Sequence, residues 1–269
     1  MTPTFSIIVP ANDDEIATSR TLSNLIYQSG DPVSREVLVV ADGPTKWVSR
    51  VVRTANQKAQ KAKQPIEFIY IHTSRHYGSG NIGRAVALTK AKNDYVMFID
   101  SGTVVLKHAF EMLNYSFVEK PDTDIFIWDV IQLVDPVPFI HFAFHFKTIV
   151  AEEKIGYWIT GVGAAIRREI GQSIVWPNTN ASDWAYWSAI WKKMNKPVKA
   201  ALINSPLVIA YAGYDYKRFR DAESPNHWKE LGYHLSYDES PYADMISPNP
   251  EVKNGESLHG VAADSSKRE

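Results

Sequence analysis

Short hydrophobic runs alternate with longer amphipathic stretches through the first hundred residues of the chain. The short runs predict buried strands, and apolar residues at helical spacing between them predict helices. Strands that alternate with helices favour a parallel sheet with right-handed crossover connections. We predict strands at 5–10, 36–43, 66–72 and 95–100. We also predict three helices: the first opens with a capping box formed by Asn12 and Glu15, the second contains Val48 to Ala62, and the third covers 83–92.

The pattern is less regular in the second half of the chain. It predicts a helix at 106–119, a strand at 125–131 and a short last strand at 207–211. Residues 140–147 alternate between apolar and polar positions, which indicates a half-buried strand. A further helix is predicted at 183–194, with its tryptophans along one stripe.

The composition is that of an ordinary soluble chain of 269 residues, with 45% hydrophobic and 22% charged residues. Its formal net charge of -1 provides no field that would attract nucleic acid, and we expect no nucleic-acid partner. The absence of cysteine excludes disulfides, thiolate metal ligands and a cysteine nucleophile. We find neither a signal peptide nor the roughly 18 apolar residues needed to cross a bilayer. We therefore expect a cytoplasmic protein without a transmembrane segment.

Two carboxylates end predicted strands of the same sheet. Asp42 lies at the end of the second strand and Asp100 at the end of the fourth, and small residues come directly after each. Each aspartate alone is equally well explained by the capping of a neighbouring turn. Because ligands bind outside the carboxyl ends of parallel strands, the two acids together favour a ligand site at that edge.

A third carboxylate, Asp183, stands at the start of the tryptophan helix. In one interpretation Ser182 caps the helix and Asp183 complements its positive end. In the other, Asp183 is a general base beside Trp184. The two interpretations are compatible, because a helix N-terminus keeps a carboxylate ionised.

Two further motifs are weak indications of a binding site. Residues 78–83 have the spelling of a dinucleotide-binding fingerprint, but they follow a third strand and not the first tight strand-to-helix turn, so NAD or FAD binding is disfavoured. His141 and His145 fall on one face of the predicted strand at 140–147. A metal site needs more ligands than two histidines.

Several segments, in this order, resemble glycosyltransferases of the GT-A fold, most closely the inverting family 2. They are residues 6–13, 39–43, 83–100 and 161–168, followed by Ser182-Asp183-Trp184 where the family usually has Glu-Asp. The resemblance implies an α/β, Rossmann-like fold with a mixed, mostly parallel central sheet flanked by helices.

The resemblance also implies a division of the chain. We expect one domain over residues 1–246, with a nucleotide-binding half at 1–104 and an acceptor-side half at 105–246. The polar residues 247–269 are expected to form a mobile tail.

The same resemblance implies an enzyme that moves a sugar, with inversion, from a nucleotide-diphosphate donor to a hydroxyl acceptor such as a glycan. A UDP-sugar is the expected donor. Asp183 would take the proton of the acceptor, and Asp100 would reach the ribose and a divalent cation, Mn²⁺ or Mg²⁺. The implied donor-nucleotide residues are Pro10, Ala11, Asn12, Asp42, Arg84, Asp100 and Ser101, and those near the donor sugar or acceptor are Gly161, Gly163 and Trp184.

The chain departs from the family pattern at the metal motif. The usual D-x-D reads Asp100-Ser101-Gly102, so the second metal-binding carboxylate is missing. Thr103 and His227 are candidates for compensation, and metal binding is otherwise weakened or lost. The alternative to an enzyme is a non-catalytic module of the same fold that binds a nucleotide sugar or a glycan.

Overall fold

The computed structural model describes residues 2–11, 14–30, 33–74, 80–134, 137–139, 161–178, 182–193 and 199–212. All of them belong to one compact unit, Met1–Tyr216, while a second unit comprises Lys217–Glu269. Several expectations lie outside the described residues: the strand at 140–147 with His141 and His145, the domain boundary at 246 with the tail beyond it, and the positions of Asn12 and His227.

The strands of the described residues form one sheet in the order β3-β2-β1-β4-β8-β6-β9-β5, with β7 paired to β6. No helix in these ranges is both long and apolar enough to span a bilayer. The strands are β1 (Phe5–Ala11), β2 (Arg35–Ala41), β3 (Ile66–His72), β4 (Tyr95–Phe98), β5 (Val104–Val105), β6 (Ile125–Val134), β7 (Val137–Phe139), β8 (Ala164–Arg167) and β9 (Ala200–Ala212). The helices are α1 (Glu15–Ile26), α2 (Lys46–Lys61), α3 (Gly80–Leu88), α4 (Ala109–Glu119), α5 (Arg168–Gln172) and α6 (Ser182–Lys193).

The sheet has a parallel half and a mixed half. β3, β2, β1 and β4 are all parallel, as the alternation of strands and helices predicted. β8 then pairs antiparallel with β4, and β6 pairs antiparallel with β8 but parallel with β9. The predicted mixed α/β sheet is confirmed.

Helices cover both faces of the parallel half. On one face, α1, α2 and α4 pack against alternate residues of β1 such as Ile7 and Val9. On the other face, α3 and α6 pack against Ile8, Val40 and Phe98. A strand buried on both faces reads as a continuous hydrophobic run, which is why the sequence pattern located these strands well.

Side-chain hydrogen bonds correct two predicted helix ends. The capping box at Asn12 is wrong, because the side chain of Asp14 caps α1 and accepts from the Ala17 N–H at 2.8 Å. Helix α3 covers Gly80–Leu88 and not residues 83–92. Beyond it, the backbone N–H of Lys92 donates to the buried carboxylate of Glu36 at 2.6 Å, so this segment forms a loop bonded to the sheet.

The last strand is longer than predicted. β9 covers Ala200–Ala212 and not only residues 207–211, and it pairs with the whole of β6. The register shifts on both sides of Asp129. Such irregularities break the period-two pattern by which a strand is detected in sequence.

Candidate functional site

The carboxyl ends of β1, β2 and β4 lie side by side at one edge of the sheet. Ala11 pairs with Ala41, directly before Asp42, and Ile8 pairs with Phe98 near the end of β4. The hydroxyl of Ser101 donates to the Pro10 carbonyl at 2.6 Å. The structure therefore brings Pro10, Ala11, Asp42, Asp100 and Ser101 to the same edge. The sequence pattern predicted this shared edge for Asp42 and Asp100.

The turn that carries Asp42 is held by Thr73, the first residue after β3. The Thr73 hydroxyl donates to Asp42 Oδ1 at 3.2 Å and accepts from the Gly43 N–H at 2.6 Å. Gly43 has a φ of +82°, which glycine adopts readily. Thr73 was not predicted as a site residue. The sequence indicated only that Thr73 is a polar residue directly after a predicted strand.

The turn that carries Asp100 is anchored to α1. The Gly102 N–H donates to the Thr21 hydroxyl at 3.0 Å, and that hydroxyl donates to the Thr103 carbonyl at 3.0 Å. Within the turn, the Thr103 N–H donates to the Asp100 carbonyl at 3.0 Å. Gly102 has a φ of +92°, so glycine is the residue that suits this position.

Arg84, in the middle of α3, is ion-paired with Asp100. Its Nη1 also donates to Asn81 Oδ1 at 3.2 Å, and its guanidinium carbon lies 5.5 Å from the ring centroid of Trp176. Trp176 Nε1 donates to the same Asn81 oxygen at 3.3 Å. Three groups thus hold the guanidinium, and the cation lies against an aromatic ring.

Asn81 and Trp176 were missed by the sequence reasoning. Asn81 lies three residues before Arg84 on the same helix. Side chains at this spacing are neighbours on a helix surface, so the sequence did indicate that the two residues could be in contact. Trp176 is far from both in sequence. Nothing in a single sequence indicates that it reaches α3.

Trp176 belongs to an aromatic cluster that connects the end of β4 to α6. Its ring centroid lies 4.3 Å from that of Phe98 and 4.6 Å from that of Tyr186. The Tyr186 hydroxyl donates to the Gly171 carbonyl at 2.9 Å, and burial raises the pKa of Tyr186 well above its ordinary value. Asp183 lies in the first turn of α6, about one turn before Tyr186.

The segment with Gly161 and Gly163 is bonded to the neighbouring strand β6. The Trp128 N–H donates to the Gly163 carbonyl at 3.0 Å, and the Trp128 indole donates to the Val162 carbonyl at 3.0 Å. This segment leads into β8, which pairs with β4. The sugar or acceptor role of the two glycines, like that of Trp184, stays a prediction.

Within the part of the chain that the structure describes, the donor groups around Asp100 do not fit a divalent cation. Asp100 is paired with Arg84, the Ser101 hydroxyl donates to a carbonyl, Gly102 has no side chain, and Thr103 is buried. Mn²⁺ and Mg²⁺ are hard cations that prefer several oxygen ligands, usually including a carboxylate. No group of three or more His, Cys, Asp or Glu side chains in the described ranges could hold a metal ion.

A family model described as "Glycosyl transferase family 2" matches residues 6–172. The chain belongs to glycosyltransferase family 2. The family match covers β1 to α5, with Asp42, Arg84 and Asp100, while Trp176 and Asp183 lie beyond it. Membership of this family favours a glycosyltransferase over the NAD or FAD alternative. No curated protein sequence matches the chain significantly.

Solved glycosyltransferase structures share the fold of this family 2 chain. S. aureus TarS 1–349 in complex with UDP is 18% identical, with a TM-score of 0.64 over 85% of this chain and 63% of that one. TarS 1–349 in complex with UDP-GlcNAc is 18% identical, with a TM-score of 0.62 over 84% and 64% of the two chains. The present chain thus spans less than two thirds of these TarS chains.

A mannosyltransferase, PcManGT from Pyrobaculum calidifontis in complex with GDP-Man and Mn²⁺, is also similar. It is 18% identical, with a TM-score of 0.57 over 90% of this chain and 67% of that one. At this identity such likenesses concern the fold alone, and the predicted GT-A fold is confirmed.

Proposed function

We propose that this family 2 chain transfers a sugar from a nucleotide-diphosphate sugar, a UDP-sugar, to a hydroxyl group of an acceptor, with inversion at the anomeric carbon. The observation that carries the proposal is the meeting of Asp42, Arg84 and Asp100 at one edge of the parallel sheet. Ligands bind at such an edge. The family match and the UDP and UDP-GlcNAc complexes of TarS support the choice of donor.

In this proposal the donor nucleotide lies along the ends of β1, β2 and β4. Pro10, Ala11 and Asp42 border the base and ribose. Asp100 Oδ1 accepts from Arg84, which leaves Asp100 Oδ2 to accept from a ribose hydroxyl of the donor. Arg84 lies near the diphosphate, where its charge offsets that of the leaving group.

The chemical step needs a base for the acceptor hydroxyl, and Asp183 takes that role. The acceptor oxygen bonds to the anomeric carbon as the bond from that carbon to the diphosphate oxygen breaks. The proton passes to Asp183, and the nucleoside diphosphate leaves with the electron pair. Attack from the face opposite the leaving group inverts the anomeric centre. Asp183 stands in the first turn of α6, and the positive end of a helix favours the ionised form of a carboxylate, which is the form that accepts a proton.

No step of this proposal passes through a metal ion. The resemblance implied Mn²⁺ or Mg²⁺, and the similar PcManGT complex contains Mn²⁺. Among the described residues, the groups around Asp100 nevertheless do not fit a divalent cation, because the Asp100 carboxylate is paired with Arg84.

The test is transfer by the Asp183→Asn variant of the full chain. Products from a panel of UDP-sugars and hydroxyl acceptors are measured by mass spectrometry, and the anomeric configuration is read by NMR. We expect transfer to fall by roughly 10²- to 10⁴-fold, as for loss of a general base, with UDP affinity unchanged by calorimetry. The matched control is Glu169→Gln, which neutralises an exposed acid in the first turn of α5.

Transfer by Asp183→Asn at the wild-type rate would refute the base role. A second candidate function is the non-catalytic binding module, which the missing carboxylate at Gly102 favours. UDP binding without transfer or donor hydrolysis across the whole panel would select that candidate over the enzyme.

A further inference from the structure

Gly102 leaves one carboxylate where the resemblance implies two. Its φ of +92° belongs to a tight turn, and no side chain at this position can reach a ligand. The remaining carboxylate, Asp100, already carries a positive partner in Arg84. A divalent cation at Asp100 would have to share or displace a guanidinium, which opposes its binding.

Arg84 is built into the structure as a fixed cation. Its side chain is only 17% exposed, and it is held by Asp100, by Asn81 Oδ1 at 3.2 Å and by the ring of Trp176 at 5.5 Å. A guanidinium has five N–H donors. Its hydrogen-bond partners within the described ranges are Asn81 and Asp100, so donors remain for an anion. The planar fork of arginine suits phosphate oxygens.

Trp176 and Asn81 orient this cation together. Trp176 is buried, its ring packs on Phe98 at 4.3 Å, and its indole N–H shares the Asn81 oxygen with Arg84 at 3.3 Å. Trp176 also lies outside the residues 6–172 that match the family. The orientation of Arg84 therefore depends on a residue beyond the family match.

We propose that Arg84, positioned by Asn81 and Trp176, binds the diphosphate of the donor in this chain, and that donor binding requires no divalent ion. Arg84 is a binding residue, whereas Asn81 and Trp176 act through it as positioning residues. The inference rests on the proposed function, since it assigns the diphosphate of that donor.

The experiment is calorimetric titration of the full chain with UDP and with uridine, each in EDTA, Mg²⁺ and Mn²⁺. We expect the Kd of UDP to agree within about twofold among the three conditions. Arg84→Gln should weaken UDP binding by roughly 10- to 100-fold, the range for loss of a charge-assisted hydrogen bond. Uridine binding should not change, because uridine has no phosphate.

Asn81→Ala tests the positioning role with less risk to the fold than a change of the buried Trp176. We expect it to weaken UDP binding severalfold and to leave uridine binding unchanged. A matched control exists at the opposite end of β4. There Arg167 Nε lies 3.3 Å from Asp124 Oδ1, and the Arg167 guanidinium carbon lies 5.5 Å from the Tyr95 ring centroid. Arg167→Gln therefore removes the same kind of contacts away from the site. It should leave the Kd of UDP unchanged.

Three outcomes would overturn the inference. UDP binding that Mn²⁺ or Mg²⁺ strengthens by more than about twofold over EDTA would overturn it and leave the proposed function standing. An equal loss of UDP and uridine binding in Arg84→Gln would show that Arg84 only supports the fold. No binding of UDP or uridine in any condition would overturn the proposed function, and the inference with it.

Discussion

Replacement of Gly102 by alanine isolates the backbone requirement of the turn that carries Asp100. The φ of Gly102 is +92°, a conformation that residues with a Cβ rarely adopt. A Cβ at this position would meet Ala17 Cβ at 3.7 Å, an ordinary van der Waals contact. Gly102→Ala therefore introduces strain in the backbone without a steric clash.

Two opposing effects set the magnitude. The left-handed conformation costs an L-residue about 1–2 kcal/mol, while the loss of glycine flexibility in the unfolded chain returns about 0.4–1 kcal/mol. We expect a net loss of about 1 kcal/mol in the free energy of unfolding. For a domain of this size that lowers the thermal midpoint by about 2–4 °C.

The assay is thermal and urea denaturation of wild type, Gly102→Ala and Gly102→Asn, with UDP titration of each. Asparagine tolerates positive φ better than alanine, so Gly102→Asn should lose less stability. UDP binding should weaken in Gly102→Ala, because the turn fixes Asp100 through the Thr103 N–H at 3.0 Å. An alanine variant as stable as wild type, or less affected than the asparagine variant, would refute the reasoning.

Two further predictions concern the packing around the site and the pH range of stability. A Cβ on Gly83 would lie 3.0 Å from Val40 Cγ1, so Gly83→Ala should lower the free energy of unfolding by about 1 kcal/mol despite the higher helix propensity of alanine. In a double-mutant cycle, the same substitution should stabilise a Val40→Ala background, where the contact is removed. Stabilisation of the wild-type background would contradict this. Burial raises the pKa of Tyr95 from 10.0 to about 12, so stability present below pH 10.0 should fall as the pH rises toward 12. Urea denaturation across this pH interval should show a smaller fall in the free energy of unfolding for Tyr95→Phe than for wild type. An identical dependence of this free energy on pH in the two proteins would rule out a contribution from Tyr95.

The parallel half of the sheet and its acid-bearing edge were predictable from the sequence. β3 was predicted at its observed bounds, Ile66–His72, because its apolar residues form a short local run, although it is a partly exposed edge strand. Asp42 and Asp100 could be placed at one edge, since parallel strands present their carboxyl ends together. Both inferences need only neighbouring residues and the handedness of crossovers.

Contacts between distant segments were not predictable in this way. The ion pair of Arg84 with Asp100 needs the register of α3 against β4, and the hydrogen bond of Thr73 to Asp42 needs β3 beside β2. Asp14, and not Asn12, caps α1. Several nearby polar residues are of types that can cap a helix, so the sequence alone did not select among them.

The sequence by itself determined the α/β class, the parallel direction of the first four strands, and the acids at the sheet edge, because these follow from hydrophobic period and chain direction. Only the tertiary structure decided that Trp176 and Asn81 hold Arg84 against Asp100. Such a group forms from segments far apart in the chain, and its stability depends on packing distances that no local pattern encodes.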